Sequence, residues 1–213
     1  GKHNNWSIGT DTGENLLDPG DTPNENLQFL LVLSCIMKAV DVHADLLRQS
    51  ASCVGNEHRL GGQEAPPAII SICLGDQLES VVDQIVSNAD SIQLLASGKL
   101  DSGVSTVPVL SRDATDRNRT TPFAFTGNKF EFRMVGSSDS IADANVTLNA
   151  IVAEALCDAA DVLEQAPDFS SACSQLIHEN MARHQRIIFN GDGYSDAWVA
   201  EAARRGLPNL ASL

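Results

Sequence analysis

Residues 128–134, Asn-Lys-Phe-Glu-Phe-Arg-Met, alternate polar and apolar side chains without a break. Successive side chains of a β-strand point to opposite faces, so Phe130, Phe132 and Met134 share one face while Lys129, Glu131 and Arg133 share the other. An apolar face of this kind demands a core. The charged face places a lysine, a glutamate and an arginine in one row, a set able to meet phosphate, a metal ion and a carboxylate side by side. Surface charge is the default, so the strand alone also reads as a solvated face with an ion-pair ladder. The rest of the chain decides between the two.

The 213 residues suffice for one domain with a full core, or for a large part of a bigger one. A hydrophobic content of 43% with 20% charged residues belongs to a globular chain rather than a disordered one. Fourteen basic against 28 acidic residues give a net charge of −14, which argues against a nucleic-acid partner. In so acidic a chain, a local cluster of arginines suggests a small anionic ligand. No apolar run approaches the ~20 residues that span a bilayer, and no basic segment followed by an apolar core marks a signal peptide. The five cysteines are odd in number, lack C-x-x-C spacing and sit among apolar neighbours. They read as buried free thiols of a reducing compartment, and a cytoplasmic location is expected. The chain opens on Gly1 and stops soon after Gly206-Leu207-Pro208-Asn209; both ends read as cuts, and a piece of a longer protein is expected.

Residues 1–22 read as strand plus loop. Thr22, Pro23 and Glu25 supply a helix start, and the spacing of Leu27, Leu30, Leu31, Ser34 and Met37 predicts a core helix reaching about Gln49. Glycines and prolines predict a loop over 51–67, followed by a short strand-like run at 68–74 and an amphipathic helix over 77–86. Phe123–Phe125 and Asn128–Val135 predict two strands around Thr126-Gly127, a connection that allows a hairpin. A helix over 143–165 carries Val146, Leu148, Ile151, Val152 and Leu156. Asp168 or Ser170 caps another to Ile187, and Ser195 caps a last one ended by Gly206 and Pro208. The class is α+β, mixed strands carrying a polar site and backed by helices.

Four polar clusters stand out. In Gly1-Lys2-His3-Asn4-Asn5-Trp6-Ser7, an extended backbone places His3, Asn5 and Ser7 on one face, where imidazole, amide and hydroxyl suit a metal and a nucleotide; a frayed terminus is the plainer reading. The loop Asn56–Pro67 carries Arg59 and Glu64, a guanidinium fork for a carboxylate and a candidate general base, or an exposed ion-rich turn. Arg112, Arg117 and Arg119 fall within eight residues, a cluster suited to phosphoryl groups or to pairing with Asp113 and Asp116. The strand at 128–134 is the fourth. Walker-type, G-x-S-x-G, H-E-x-x-H and dinucleotide-binding patterns are absent from the sequence.

In this order and spacing, the clusters resemble glutamine synthetase, in its type III branch. The resemblance rests on Gly-Lys-His-Asn-Asn-Trp-Ser at 1–7, Asn-Glu-His-Arg-Leu-Gly at 56–61 and Glu-Ala-Pro-Pro-Ala-Ile-Ile at 64–70. Asp-Arg-Asn-Arg-Thr at 116–120, Gly-Asn-Lys-Phe-Glu-Phe-Arg at 127–133 and Asn-Gly-Asp-Gly-Tyr-Ser at 190–195 continue it. It implies an α+β catalytic domain in which a curved antiparallel sheet, backed by helices, carries the active site. It also implies a ligase that uses ATP and Mg2+ or Mn2+ to join glutamate and ammonia through γ-glutamyl phosphate, working as a homo-oligomeric ring.

By the same resemblance His3 and Glu131 would be metal ligands. Asn5, Ser7 and Lys129 would lie by the nucleotide, with Lys129 and Arg119 on the transferring phosphoryl group. Arg59 and Arg133 would hold glutamate, and Glu64 would sit on a flap and deprotonate ammonium. Asn5 stands where the type I pattern has a second histidine, and the Arg59–Glu64 spacing is one residue shorter than in type I. The family's small N-terminal β-domain, the other metal's carboxylates and a C-terminal helical portion would lie outside residues 1–213. A ligase that joins glutamate to another amine, or a non-catalytic module of the same fold, stand as alternative readings.

Overall fold

The computed structural model describes residues 1–62, 64–87 and 120–212. Four short strands form one sheet, in the order β1-β4-β3-β2. They are β1 (Asn4–Trp6), β2 (Ile72–Cys73), β3 (Phe123–Phe125) and β4 (Phe130–Phe132). β4 runs antiparallel to both β1 and β3, as expected. β2 runs parallel to β3, so the sheet is mixed rather than wholly antiparallel. A parallel pair needs a long crossover, and residues 74–122 supply the length.

The core gathers around α1 (Leu27–Val42), where Phe29, Leu30, Leu33, Ile36, Met37 and Val40 are buried. A helix apolar on so many sides has to be covered on several. α5 (Ala142–Glu164) and α6 (Phe169–His184) pack against it, and α4 (Asp76–Ser87) packs against α6. The sheet joins this core through its phenylalanines: Phe123 and Phe130 stack at 4.4 Å, and Phe29 of α1 meets Phe125 at 5.9 Å. A smaller apolar cluster forms where α7 (Asp196–Arg204) lays Trp198 on Phe189, ring on ring at 3.7 Å.

Several expectations shift. The first long helix begins at Leu27, capped by Asn26, whose Oδ1 accepts from the Phe29 amide at 3.0 Å; Pro23–Glu25 form only a 3-10 turn. It breaks at His43 (φ −112°, ψ 33°), and α2 (Ala44–Gln49) resumes it. The predicted 51–67 loop contains α3 (Val54–Arg59), whose order comes from tertiary bonds that local propensity does not register. The β3–β4 connection is four residues long, with Gly127 at φ +98°, a backbone region that glycine occupies without strain. Val146 on α5 points to solvent. Cys35, Cys73 and Cys173 are buried free thiols, but Cys53 is half-buried and Cys157 exposed, because Cys157 falls on the solvent side of α5. Asp168 and Ser195 cap α6 and α7 as the sequence indicates.

Candidate active site

β1 and β4 pair in a register that sets Asn5 opposite Glu131. Asn4 and Trp6 are buried, while His3, Asn5 and Ser7 are exposed, so the N-terminal triplet shares one face as the alternation requires. On β4 and its flanks Phe130, Phe132 and Met134 are buried and Lys129, Glu131 and Arg133 half-buried. The two polar rows lie on the same side of the sheet.

Glu131 is the link within that surface. Its Oε2 accepts from Arg133 Nε at 3.1 Å and lies 3.1 Å from Arg133 Nη2. The same oxygen stands 3.6 Å from His3 Nδ1. An imidazole nitrogen and a carboxylate oxygen form a donor pair that suits a divalent cation preferring oxygen and tolerating one nitrogen. Their separation is one that two neighbouring ligands of a single ion can hold. Two donors make a partial site, and among the described residues no three His, Cys, Asp or Glu side chains are grouped to hold a metal.

Arg59 reaches this surface from the last turn of α3. Its Nε donates to Asn56 Oδ1 at 2.7 Å and its Nη2 to the Met134 carbonyl at 2.7 Å. Asn56, buried one helical turn earlier, itself donates to Met134 and Ala51 carbonyls, so α3 is tied to the end of β4. The far side of α3 is held by Glu57, whose Oε1 accepts from the fully buried Arg48 at 2.9 Å. Gly1 passes close over the Arg59 guanidinium: a Cβ there would lie 3.0 Å from Nη1.

Leu60 then bridges to Ala65, turning the chain at Gly61 (φ +79°), whose amide donates to the Ala65 and Pro66 carbonyls at 3.2 and 2.9 Å. Glu64 is exposed at the tip of this loop, and its carbonyl accepts from Tyr194 Oη at 3.2 Å.

These pieces enclose a cleft of about 140 Å3, lined by His3, Arg59, Glu64, Arg133, Thr121 and Tyr194 among others. Four predicted site residues therefore converge on one cleft, and Glu131 touches two of them. Asn5 stands beside Glu131, whereas Ser7 and Lys129 lie further along the same face and do not line the cleft. Arg119, and the arginine cluster to which it belongs, fall outside the described residues. Tyr194 and Thr121 were not singled out by residue chemistry. The available signal was that Tyr194, the chain's only tyrosine, follows the turn-forming run Asn190-Gly191-Asp192-Gly193.

Residues 172–213 match the glutamine synthetase C-terminal domain family. The chain is 53% identical over 215 residues to type-3 glutamine synthetase of Dictyostelium discoideum, a match that covers 100% of this chain and 29% of that protein. A glutamine synthetase of Bacteroides fragilis (strain YCH46) is 45% identical over 216 residues, covering 99% of this chain and 30% of the relative. Another from Butyrivibrio fibrisolvens is 45% identical over 226 residues, covering 100% and 30%. The chain thus spans about 30% of the length of the curated relatives it matches. On this similarity along its whole length, the chain belongs to the glutamine synthetase family.

Proposed function

We propose that this stretch forms part of a catalytic site that joins glutamate and ammonia at the expense of ATP, by way of γ-glutamyl phosphate. The observation that carries the reading is the convergence of His3, Arg59, Glu64 and Arg133 on one cleft, with Glu131 against His3 and Arg133. The names of the relatives support it.

Phosphoryl transfer asks a protein mainly for positioning and charge neutralisation. Arg59 and Arg133 would bind the carboxylates of glutamate. Arg59 is oriented from behind by Asn56 and Met134, leaving less side-chain freedom to lose on binding. Lys129 and Arg119 would stabilise the phosphoryl group in transfer, with Asn5 and Ser7 beside the nucleotide. Glu64 would take a proton from ammonium and cover the reacting carbonyl, keeping water from an acyl phosphate. His3 and Glu131 would hold Mg2+ or Mn2+, which when bound neutralises charge on the phosphates. The full polypeptide would be a homo-oligomeric ring, as the family resemblance implies, and its cysteine usage would place it in the cytoplasm.

The test is glutamine formation from glutamate, ATP and ammonium. The full polypeptide carrying residues 1–213 should turn over, with ammonia preferred to polyamines and alkylamines as acceptor. The isolated 213-residue chain, which among its described residues pairs only His3 and Glu131 as metal donors, should not. Turnover by the isolated chain would sink the incomplete-site argument; inactivity of the full polypeptide would sink the ligase reading.

A further inference from the structure

The loop that carries Tyr194 is fixed at several points. Asn190 Oδ1 accepts from the Leu74 and Gly75 amides, each at 3.0 Å, and its Nδ2 donates to Glu79 Oε2 at 2.6 Å. The Gly193 amide donates to Thr120 Oγ1 at 2.8 Å, and a Cβ at Gly193 would come within 2.8 Å of the Thr120 carbonyl oxygen. Immediately after Tyr194, Ser195 caps α7, which is pinned by the Trp198–Phe189 stack. This is a rigid post. The loop bearing Glu64 is different: its backbone bonds from Gly61 close its base, while Glu64 at the tip is exposed. Among the described residues, the one hydrogen bond Glu64 makes is the one its carbonyl accepts from Tyr194 Oη.

We infer that Tyr194 is a positioning residue that latches the Glu64 loop over the cleft, and that its hydroxyl sets how well water is kept from the acyl-phosphate intermediate. The inference rests on the ligase reading for its chemical consequence, but not for the latch itself. In the productive step ammonia forms the C–N bond at the γ-carbonyl as the C–O bond to phosphate breaks. When the loop swings away, water forms a C–OH bond at the same carbon instead, returning glutamate and phosphate. The net result is hydrolysis of ATP to ADP and phosphate. A tip held by one neutral hydrogen bond, once released, should open about fivefold more often.

The experiment compares wild type with Tyr194→Phe in the full polypeptide. Phenylalanine keeps the ring and removes only the donor. Two quantities are read: amide hydrogen exchange across residues 61–65, and the ratio of phosphate released to glutamine formed. Exchange should quicken about fivefold, and the ratio should rise by a similar factor at limiting ammonium. Unchanged exchange overturns the latch. Faster exchange with an unchanged ratio overturns its role in excluding water, and so does a fall in glutamine formation with an unchanged ratio, the signature of general destabilisation. If wild type forms no glutamine, the ligase reading fails while the exchange measurement still decides the latch.

Discussion

Asn5 faces Glu131 directly across the antiparallel pairing of β1 and β4. The polar N-terminal segment and a strand more than half the chain away therefore present one continuous surface. Glu131 is its pivot, since a single carboxylate oxygen meets both Arg133 and His3.

Glu131→Ala removes a carboxylate donor and the ion pair to Arg133 at once. In the full polypeptide, affinity for Mn2+ should fall at least about tenfold, judged by the usual sensitivity of metal sites to loss of a ligand or its partners. Titration calorimetry with Mn2+ reads this directly, and unchanged affinity would remove Glu131 from the proposed metal set.

Arg48 is fully buried and leans on Glu57, with its Nε donating to the Leu210 carbonyl at 2.8 Å. Glu57→Ala strands that charge and should cost roughly 3–5 kcal/mol in urea unfolding. It also loosens α3, the helix that delivers Arg59. Arg48→Met removes the charge together with its need for a partner and should cost less than Glu57→Ala; the reverse order would contradict this account of α3.

Glu79 is held above the ordinary carboxylate range, chiefly because burial disfavours its charged form, with Asp83 and Asp76 adding to the effect and the Asn190 bond opposing it. A raised folded-state value means that the native protein binds the proton more tightly than the unfolded chain. That contribution is complete below the unfolded value of 4.5 and is lost as pH rises through the folded one. Glu79→Gln keeps an acceptor for Asn190 and should therefore stabilise the protein near pH 7. The gain should vanish near pH 4, and paired urea titrations at the two values check its sign.

The cysteines divide by environment. Burial pushes the Cys35 thiol up to about 11 and raises Cys73 and Cys173, while Cys157 is exposed on α5. At pH 8 a thiol raised from 9.0 to about 11 carries about a hundredfold less thiolate. Iodoacetamide on the native protein should mark Cys157 first and leave Cys35, Cys73 and Cys173 unmodified until denaturant is added. Peptide mass mapping over a time course reads the order.

What the sequence made legible was whatever repeats locally. The alternation at 128–134 specified both faces of β4, and the apolar spacing after Leu27 specified the central helix. Caps at Asp168 and Ser195 followed from side-chain chemistry within a few residues. The helix α3 was not legible, because Gly55 weakens it locally and its support comes from the buried Arg48 just before it and from Met134, distant in the chain. The parallel pairing of β2 with β3 was equally hidden, since nothing in a two-residue strand records its direction. At the site, charged residues announced themselves by type. Tyr194 did not, because its contribution is a hydroxyl aimed at a backbone carbonyl, and any exposed tyrosine could make such a bond.

β4 lies inside the sheet, clasped by β1 on one edge and β3 on the other. Glu131 on β4 and Arg133 just beyond it are therefore spaced by the strand repeat itself, roughly 7 Å from one to the next. Such a scale permits exchange of one side chain for another but not a change in count. Inserting or deleting one residue between Lys129 and Arg133 would turn a phenylalanine toward the cleft and a charge toward the core. Insertions and deletions should therefore be excluded from this strand, even where single substitutions survive.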